Sequence, residues 1–392
     1  MKVKIQDIAS LSNGINFGKS AYTSSGIKLI GVSDFKNRMY PDFDSLQKVK
    51  ADVVKEGDYL CKGDIVFVRS NGNKELVGRC MMINQDVPVT FSGFCIKLRL
   101  KDLTSCNPVY FTYLFKSNDF RKAMAGTAVG ANIQNLSQGR LGNYEINLPP
   151  RSIQDSIATT LSRYDNLIAN YHRQIKLLEE AAQRLYKEWF VDLHFPGHEN
   201  VKVIDGVPEG WEKKRLVDLV DVLYGYAFDG KQFNQKNQGT PIVRIRNIPT
   251  GMTEDYTTED APKKYLIHNG DILVGMDGEF HINSWSGSDA YLVQRACSFR
   301  PKDDLLKGFL FQAIVSPIKF FEKTLVGATV AHLGKKHIDS IEILLSNNTM
   351  MYSPFQKYFN LRQTLLNNIF LLTESRDRLL PKLMSGEIEL KI

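Results

Sequence analysis

The stretch Ser152–Trp189, SIQDSIATTLSRYDNLIANYHRQIKLLEEAAQRLYKEW, is the longest run in the chain with a single unbroken period. Its apolar positions are Ile153, Ile157, Leu161, Tyr164, Ile168, Tyr171, Ile175, Leu178, Ala182, Leu185 and Trp189. After one opening step of four they alternate steps of four and three, the heptad spacing that keeps a seam of side chains against a partner helix. No glycine or proline interrupts the run. Pro149 and Pro150 stop it from extending backwards, and Ser152, three residues before Asp155, reads as the N-cap. At about 1.5 Å per residue the helix spans roughly 57 Å, more than an ordinary core helix needs, and it reads as a spacer or coiled-coil arm.

On either side of this helix the chain repeats itself. Lys4-Ile5-Gln6-Asp7-Ile8 is echoed by Arg215-Leu216-Val217-Asp218-Leu219, with Gly14 and Gly225 at the same offset. Gly26-Ile27-Lys28-Leu29-Ile30 returns as Gly239-Thr240-Pro241-Ile242-Val243, and Gly63-Asp64-Ile65-Val66 as Gly270-Asp271-Ile272-Leu273. Gly126–Val129 corresponds to Gly327–Val330, and Leu136, Leu141, Ile146 and Leu148 correspond to Leu333, Ile338, Ile343 and Leu345. Strands are expected at Lys28–Val32, Asp64–Val68 and Gly93–Leu98, with a helix over Val109–Ala125. A second long helix is expected from about Pro354, carrying Phe355, Tyr358, Leu361, Leu365, Ile369, Leu372, Leu379 and Leu383.

The order is domain, long helix, domain, long helix. The expected fold is α+β, with two similar mixed α/β domains separated by two long antiparallel coiled-coil helices in a pseudo-twofold internal repeat. The first domain covers 1–150, the spacer helix 151–191, a turn-rich linker 192–212, the second domain 213–350, and the C-terminal helix and tail 351–392. The expected seam sets Ile157, Leu161, Ile168, Ile175, Leu178 and Leu185 against Leu365, Ile369, Leu372 and Leu379. Pairing of these seams between molecules is the competing use.

A rigid spacer with similar domains at its ends suits a long, stiff, roughly twofold ligand, and duplex DNA fits that description. Dimeric DNA readers match half-site separation to protein geometry in the same way. After the shared Gly-Asp-Ile strand the two copies diverge. The first continues Arg69, Ser70, Asn71, Gly72, Asn73, Lys74, and the second Met276, Asp277, Gly278, Glu279, Phe280, His281. Arg69, Ser70, Asn71, Asn73 and Lys74 in one, and Asp277, Glu279 and His281 in the other, offer the donors and acceptors that base edges require. A solvated hairpin loop is the plain alternative. A second candidate pair lies at 127–138, with Asn132 and Gln134, and at 328–337, with His332 and with Lys335, Lys336 and His337, the last three suiting phosphate or simply a charged surface.

The composition fits this reading. The 392 residues carry a net charge of +7 and a pI near 8.9, which suits an anionic partner. No run has the length or apolarity of a signal peptide or a membrane span, so the expectation is a cytoplasmic protein with no membrane partner. Five cysteines without a C-x-x-C pair suggest reduced, mostly buried thiols and no metal site. His194 and His198 flank Pro196-Gly197 and make a poor ligand pair. No phosphate-binding loop is present, Asn147-Leu148-Pro149-Pro150 is only a near miss to a methyltransferase tetrapeptide, and His281 stands where a nuclease built on Asp271, Asp277 and Glu279 needs a lysine. The chain reads as a binder with no catalytic residues. The alternative is a coiled-coil scaffold with two protein-binding end domains.

The link Lys187-Glu188-Trp189-Phe190-Val191-Asp192, the re-entry Val207-Pro208-Glu209-Gly210-Trp211-Glu212 and the ending Leu379–Ile388 resemble the specificity subunit of Type I restriction-modification systems over essentially the whole chain. The resemblance implies two target-recognition domains reading the halves of a gapped double-stranded DNA site. It further implies that two adenine methyltransferase subunits dock on the helical frame and that restriction–translocase subunits join them. S-adenosylmethionine, ATP and magnesium would then belong to those partners, with no cofactor on this chain. The tract before the first helix, often rich in prolines in that family, is here Asn147-Leu148-Pro149-Pro150-Arg151-Ser152-Ile153-Gln154, and its second copy, Met351-Tyr352-Ser353-Pro354-Phe355-Gln356, keeps one proline.

Overall fold

The repeated Gly-Asp-Ile segment opens equivalent strands in a computed structural model that describes residues 2–35, 38–71, 76–125, 134–325 and 331–390. Gly63 and Gly270 sit at φ of +93° and +85°, where a side chain is strained. The aspartate that follows caps the turn and ties it to a neighbouring strand. Asp64 accepts the Cys61 N–H at 2.7 Å and pairs with Arg99 at 2.6 Å, while Asp271 accepts the His268 N–H at 3.0 Å and pairs with Arg300 at 2.8 Å. The strand beyond is apolar throughout because both its faces are covered. Ile65 and Phe67 enter one core cluster and Val66 and Val68 another, and Ile272 and Val274 are likewise divided from Leu273.

Two compact units form, Met1–Asn166 with Glu374–Ile392, and Leu167–Thr373. Each is built on a four-stranded antiparallel sheet in the same order. In the first unit it runs Ala9–Asn13, Cys95–Leu100, Ile65–Val68, Cys80–Met82, and in the second Val220–Tyr224, Ala296–Pro301, Ile272–Gly275, Ile282–Ser284. A second sheet in each unit contains the parallel pair Ile27–Ile30 with Val89–Phe91, or Thr240–Val243 with Ala290–Leu292. Gly14 and Gly225 mark where the chain passes against the turn after that pair. A Cβ on either would lie 2.2 Å from the carbonyl oxygen of Phe91 or Val293. The expected strand at Gly93–Leu98 begins only at Cys95, and the expected helix Val109–Ala125 is two, Pro108–Lys116 and Asn118–Ala125, broken at the extended backbone of Ser117.

The central helix runs Arg151–Tyr186 and closes in a π turn, Lys187–Val191; the C-terminal helix runs Ser353–Ser385. Ser152 therefore lies inside the first turn and not at the cap, where Pro150 already supplies the carbonyl that receives the Ile153 and Gln154 N–H groups. A glutamine fastens each helix start to its own unit. Gln154 accepts the Asn107 N–H at 2.9 Å, and Gln356 accepts the Gly308 N–H at 3.0 Å.

The seam contains charge as well as apolar side chains. In the first unit Ile157, Ala158 and Leu161 pack with Leu379, Leu380 and Leu383; in the second Ile168 and Ile175 pack with Leu365, Leu366 and Ile369. Leu178, Leu185 and Leu372 are half-buried. Leu361, one of the apolar positions expected along the C-terminal helix, is 56% exposed, because the buried row of that helix runs Phe355, Phe359, Arg362, Leu366, Ile369. Arg362 pairs with Glu179 at 2.6 Å, and Arg376 pairs with Asp165. An apolar-only search for the period passes over these arginines and selects the neighbouring leucine.

Residues 192–212, expected as a linker, fold back on the second unit. Phe195 is buried against Trp211 with ring centroids 4.7 Å apart, and Val203–Ile204 pairs with Val207–Pro208.

Candidate nucleic-acid interface

In the first unit the strand Ile65–Val68 runs out into Arg69, and Ser70–Asn71 then pairs antiparallel with Gln134–Asn135. The Arg69 N–H donates to the Phe94 carbonyl and the Leu136 N–H donates to the Arg69 carbonyl, each at 2.8 Å. Three segments therefore meet: the strand exit, the turn at 92–94, and the Gln134–Leu136 segment. Arg69, Ser70 and Asn71 are half-buried, and Arg69 Nη1 lies 3.5 Å from the Gly93 carbonyl. Asn73, Lys74 and Asn132 lie outside the described residues, as does the Gln134 side chain.

The second unit repeats the junction with other side chains. The Met276 N–H donates to the Arg295 carbonyl at 2.8 Å, the Leu333 N–H to the Met276 carbonyl at 2.7 Å, and Asp277 bridges to His332. By this backbone correspondence Met276 replaces Arg69, Asp277 replaces Ser70, Arg295 replaces Phe94, and His332 replaces Asn135. The Asp277 carboxylate accepts a hydrogen bond from Arg295 Nη1, and its other oxygen lies 2.6 Å from His332 Nδ1. Burial pushes that carboxyl up, but the hydrogen bonds with His332 and Arg295 outweigh it and hold it below the usual carboxylate range.

The remaining candidates lie around this centre. Glu279 and His281 are 3.3 Å apart on either side of Phe280, which is fully buried and donates its N–H to Glu322 at 2.7 Å. Lys335 and Lys336 are exposed at the start of the short helix Lys335–Asp339, and Lys335 lines a shallow hollow with Arg215, Asp221 and Asp339. Asp271 and Asp277 are engaged by separate arginines, Arg300 and Arg295. Among the described residues no group of histidine, cysteine, aspartate or glutamate is arranged to hold a metal. Four of the five cysteines are buried, and burial pushes the Cys80 and Cys95 thiols up to about 11 and about 12. The junctions therefore offer hydrogen bonds and charge.

Two residues at these junctions escape sequence reasoning, Phe94 and Arg295. Placing Phe94 inside a strand hid it, and only the backbone correspondence brings the pair together.

The family model described as "Type I restriction modification DNA specificity domain" matches residues 1–180 and again 208–367, once for each copy of the repeat. The chain belongs to that family. The MjaIX specificity subunit of Methanocaldococcus jannaschii is 28% identical to this specificity subunit over 313 residues, covering 72% of this chain and 69% of the relative. The HindI specificity subunit of Haemophilus influenzae is 22% identical over 417 residues, covering 86% and 87%. The crystal structure of a Type I restriction-modification S subunit from M. genitalium shares the fold at a TM-score of 0.55 and 16% identity, covering all of this chain and 96% of that one. As a DNA specificity subunit of a Type I restriction-modification system, the chain is a non-catalytic component. No described helix is long and apolar enough to cross a membrane.

Proposed function

We propose that each unit reads one half of a gapped, two-part DNA site through the junction beside its Gly-Asp-Ile strand, and that the two long helices set the gap. The observation that supports this reading is the coincidence of equivalent central sheets with different side chains at the adjoining junction. The Asp64–Arg99 and Asp271–Arg300 pairs are the same device, whereas Arg69, Ser70 and Asn71 of the first unit are replaced by Met276, Asp277 and Gly278 at the corresponding positions of the second. Donors at such a lip suit base edges, and exposed Lys335 and Lys336 suit phosphates. Two methyltransferase subunits dock on the helical frame in this reading and the restriction–translocase subunits complete the assembly in the cytoplasm. S-adenosylmethionine, ATP and magnesium act on those partners.

Replacing Arg69 and Asn71 by alanine in the methyltransferase complex relaxes the half-site read by the first unit and leaves the other half unchanged, as read by the methylated motif. Discrimination falls by about 1–3 kcal/mol per lost base contact. Equal loss in both halves would instead assign these residues to the phosphates or to the fold. Gel shift on duplex DNA at two salt concentrations separates the reading from a protein-binding scaffold, since phosphate-driven binding weakens steeply with salt and a scaffold gives none.

A further inference from the structure

Resting on the reading above, we propose that the turn between the parallel-paired strand and the central hairpin strand is a base-reading tip in both units: Arg295 reads a guanine in one half-site and Phe94 contacts a thymine methyl in the other. Neither residue is adjacent in sequence to the loops at 69–74 and 276–281 or the segments at 127–138 and 328–337. Both are placed at the junction by the same backbone bond, the carbonyl of Phe94 or Arg295 accepting the N–H of Arg69 or Met276 at 2.8 Å.

Both tips point large side chains at solvent. Phe94 is 62% exposed, and the Arg295 side chain 63%. A single exposed hydrophobic residue is ordinary on a protein surface. An exposed phenylalanine is less so when its counterpart in a repeated scaffold is an exposed arginine, because a tip kept only for folding has no use for either. Arg295 is also held at φ +75°, a left-handed turn conformation that costs a non-glycine residue energy. Its guanidinium is aimed as well as exposed. Asp277 takes a hydrogen bond from Nη1, and among the described residues no second side chain or carbonyl engages the guanidinium, leaving the outer edge open to a ligand. Asp277 is in turn steadied by His332 on its other oxygen.

The chemistry follows from the groups presented. A guanidinium fixed by a carboxylate on one side offers two parallel N–H donors to the O6 and N7 acceptors of guanine, a pairing that lysine cannot reproduce bidentately. A bare phenyl ring has no polar handle, and the apolar feature of the major groove is the C5-methyl of thymine. Asp277 is then a positioning residue, acting on DNA through Arg295.

The test is methylome sequencing of cells expressing the chain with its methyltransferase partner, for the wild type, Arg295→Lys, Arg295→Ala, Phe94→Leu and Phe94→Ala, with melting curves to confirm folding. Both Arg295 variants are expected to make one G·C position degenerate in one half-site, by about tenfold or more, with the other half intact. Phe94→Ala is expected to relax one A·T position in the opposite half, and Phe94→Leu to keep it. An unchanged motif in Arg295→Ala, full rescue by Arg295→Lys, or relaxation of both halves by one substitution overturns the proposal. A wild type that yields no gapped motif overturns the reading on which it rests. Arg295→Lys keeps the charge beside Asp277, so a loss of specificity in a variant that melts like the wild type is not a folding defect.

Discussion

At the same turn of the same sheet one unit presents Phe94 and the other Arg295, while a few residues away the two units are chemically alike. Asp64 and Asp271 fasten their turns to Arg99 and Arg300. Lys101 donates to the Gln6 and Asp7 carbonyls, as Lys302 does to Val217 and Asp218. At Gly14 and Gly225 alike, an added Cβ would lie 2.2 Å from a carbonyl oxygen. The contrast separates what holds the fold from what varies on it: side chains that satisfy backbone groups are repeated, and those at the open lip are not.

The contrast can be broken most severely at the helices. Arg362 is buried, with Glu179, Asn283 and Ser284 accepting its hydrogen bonds. Arg362→Ala strands those acceptors and destabilises the second unit by about 3 kcal/mol, the low end for half of a buried pair because Glu179 is partly exposed. A denaturation curve in which the second unit unfolds first checks it; an unchanged midpoint would make the pair ornamental. Next in size, Asp64→Ala and Asp271→Ala each remove a turn cap and an ion pair, at about 2 kcal/mol. The two losses should match, and a large disparity would mean that the repeated motif is not one device.

The smallest effect sharpens the difference between the lips. The native Asp277 carboxyl is held below its ordinary value, so its contribution to the second lip is fully present above the ordinary aspartate range, near pH 4, and is lost as pH falls through the native value. Ser70 at the corresponding position of the first lip does not titrate. Amide-exchange protection of the Leu333 N–H, which donates to the Met276 carbonyl, should drop as pH falls below about 4 relative to that of the Leu136 N–H, which donates to the Arg69 carbonyl. A parallel drop at both lips would assign the change to the whole fold.

Much of the frame was legible in the residues. Gly63 and Gly270, Gly14 and Gly225, and the Asp64 and Asp271 that follow the first pair are local requirements of turns and close approaches, so they recur in sequence wherever the geometry recurs. The heptad row was legible only in part, since Arg362 and Arg376 occupy it as charges neutralised by Glu179 and Asp165, and a hydrophobic period cannot register a buried ion pair. The lip was least legible. Phe94 and Arg295 acquire a role from a hydrogen-bonded junction of three segments far apart in the chain, and no spacing within one segment carries that information.

The central claim is that two equivalent junctions read two different half-sites. It is tested most directly by mapping methylated adenines across a genome in cells that express this chain with its methyltransferase partner. The account predicts a single motif of two specified halves separated by a fixed, unspecified gap. A contiguous motif, or two identical halves although Phe94 stands where the other unit has Arg295, would contradict it.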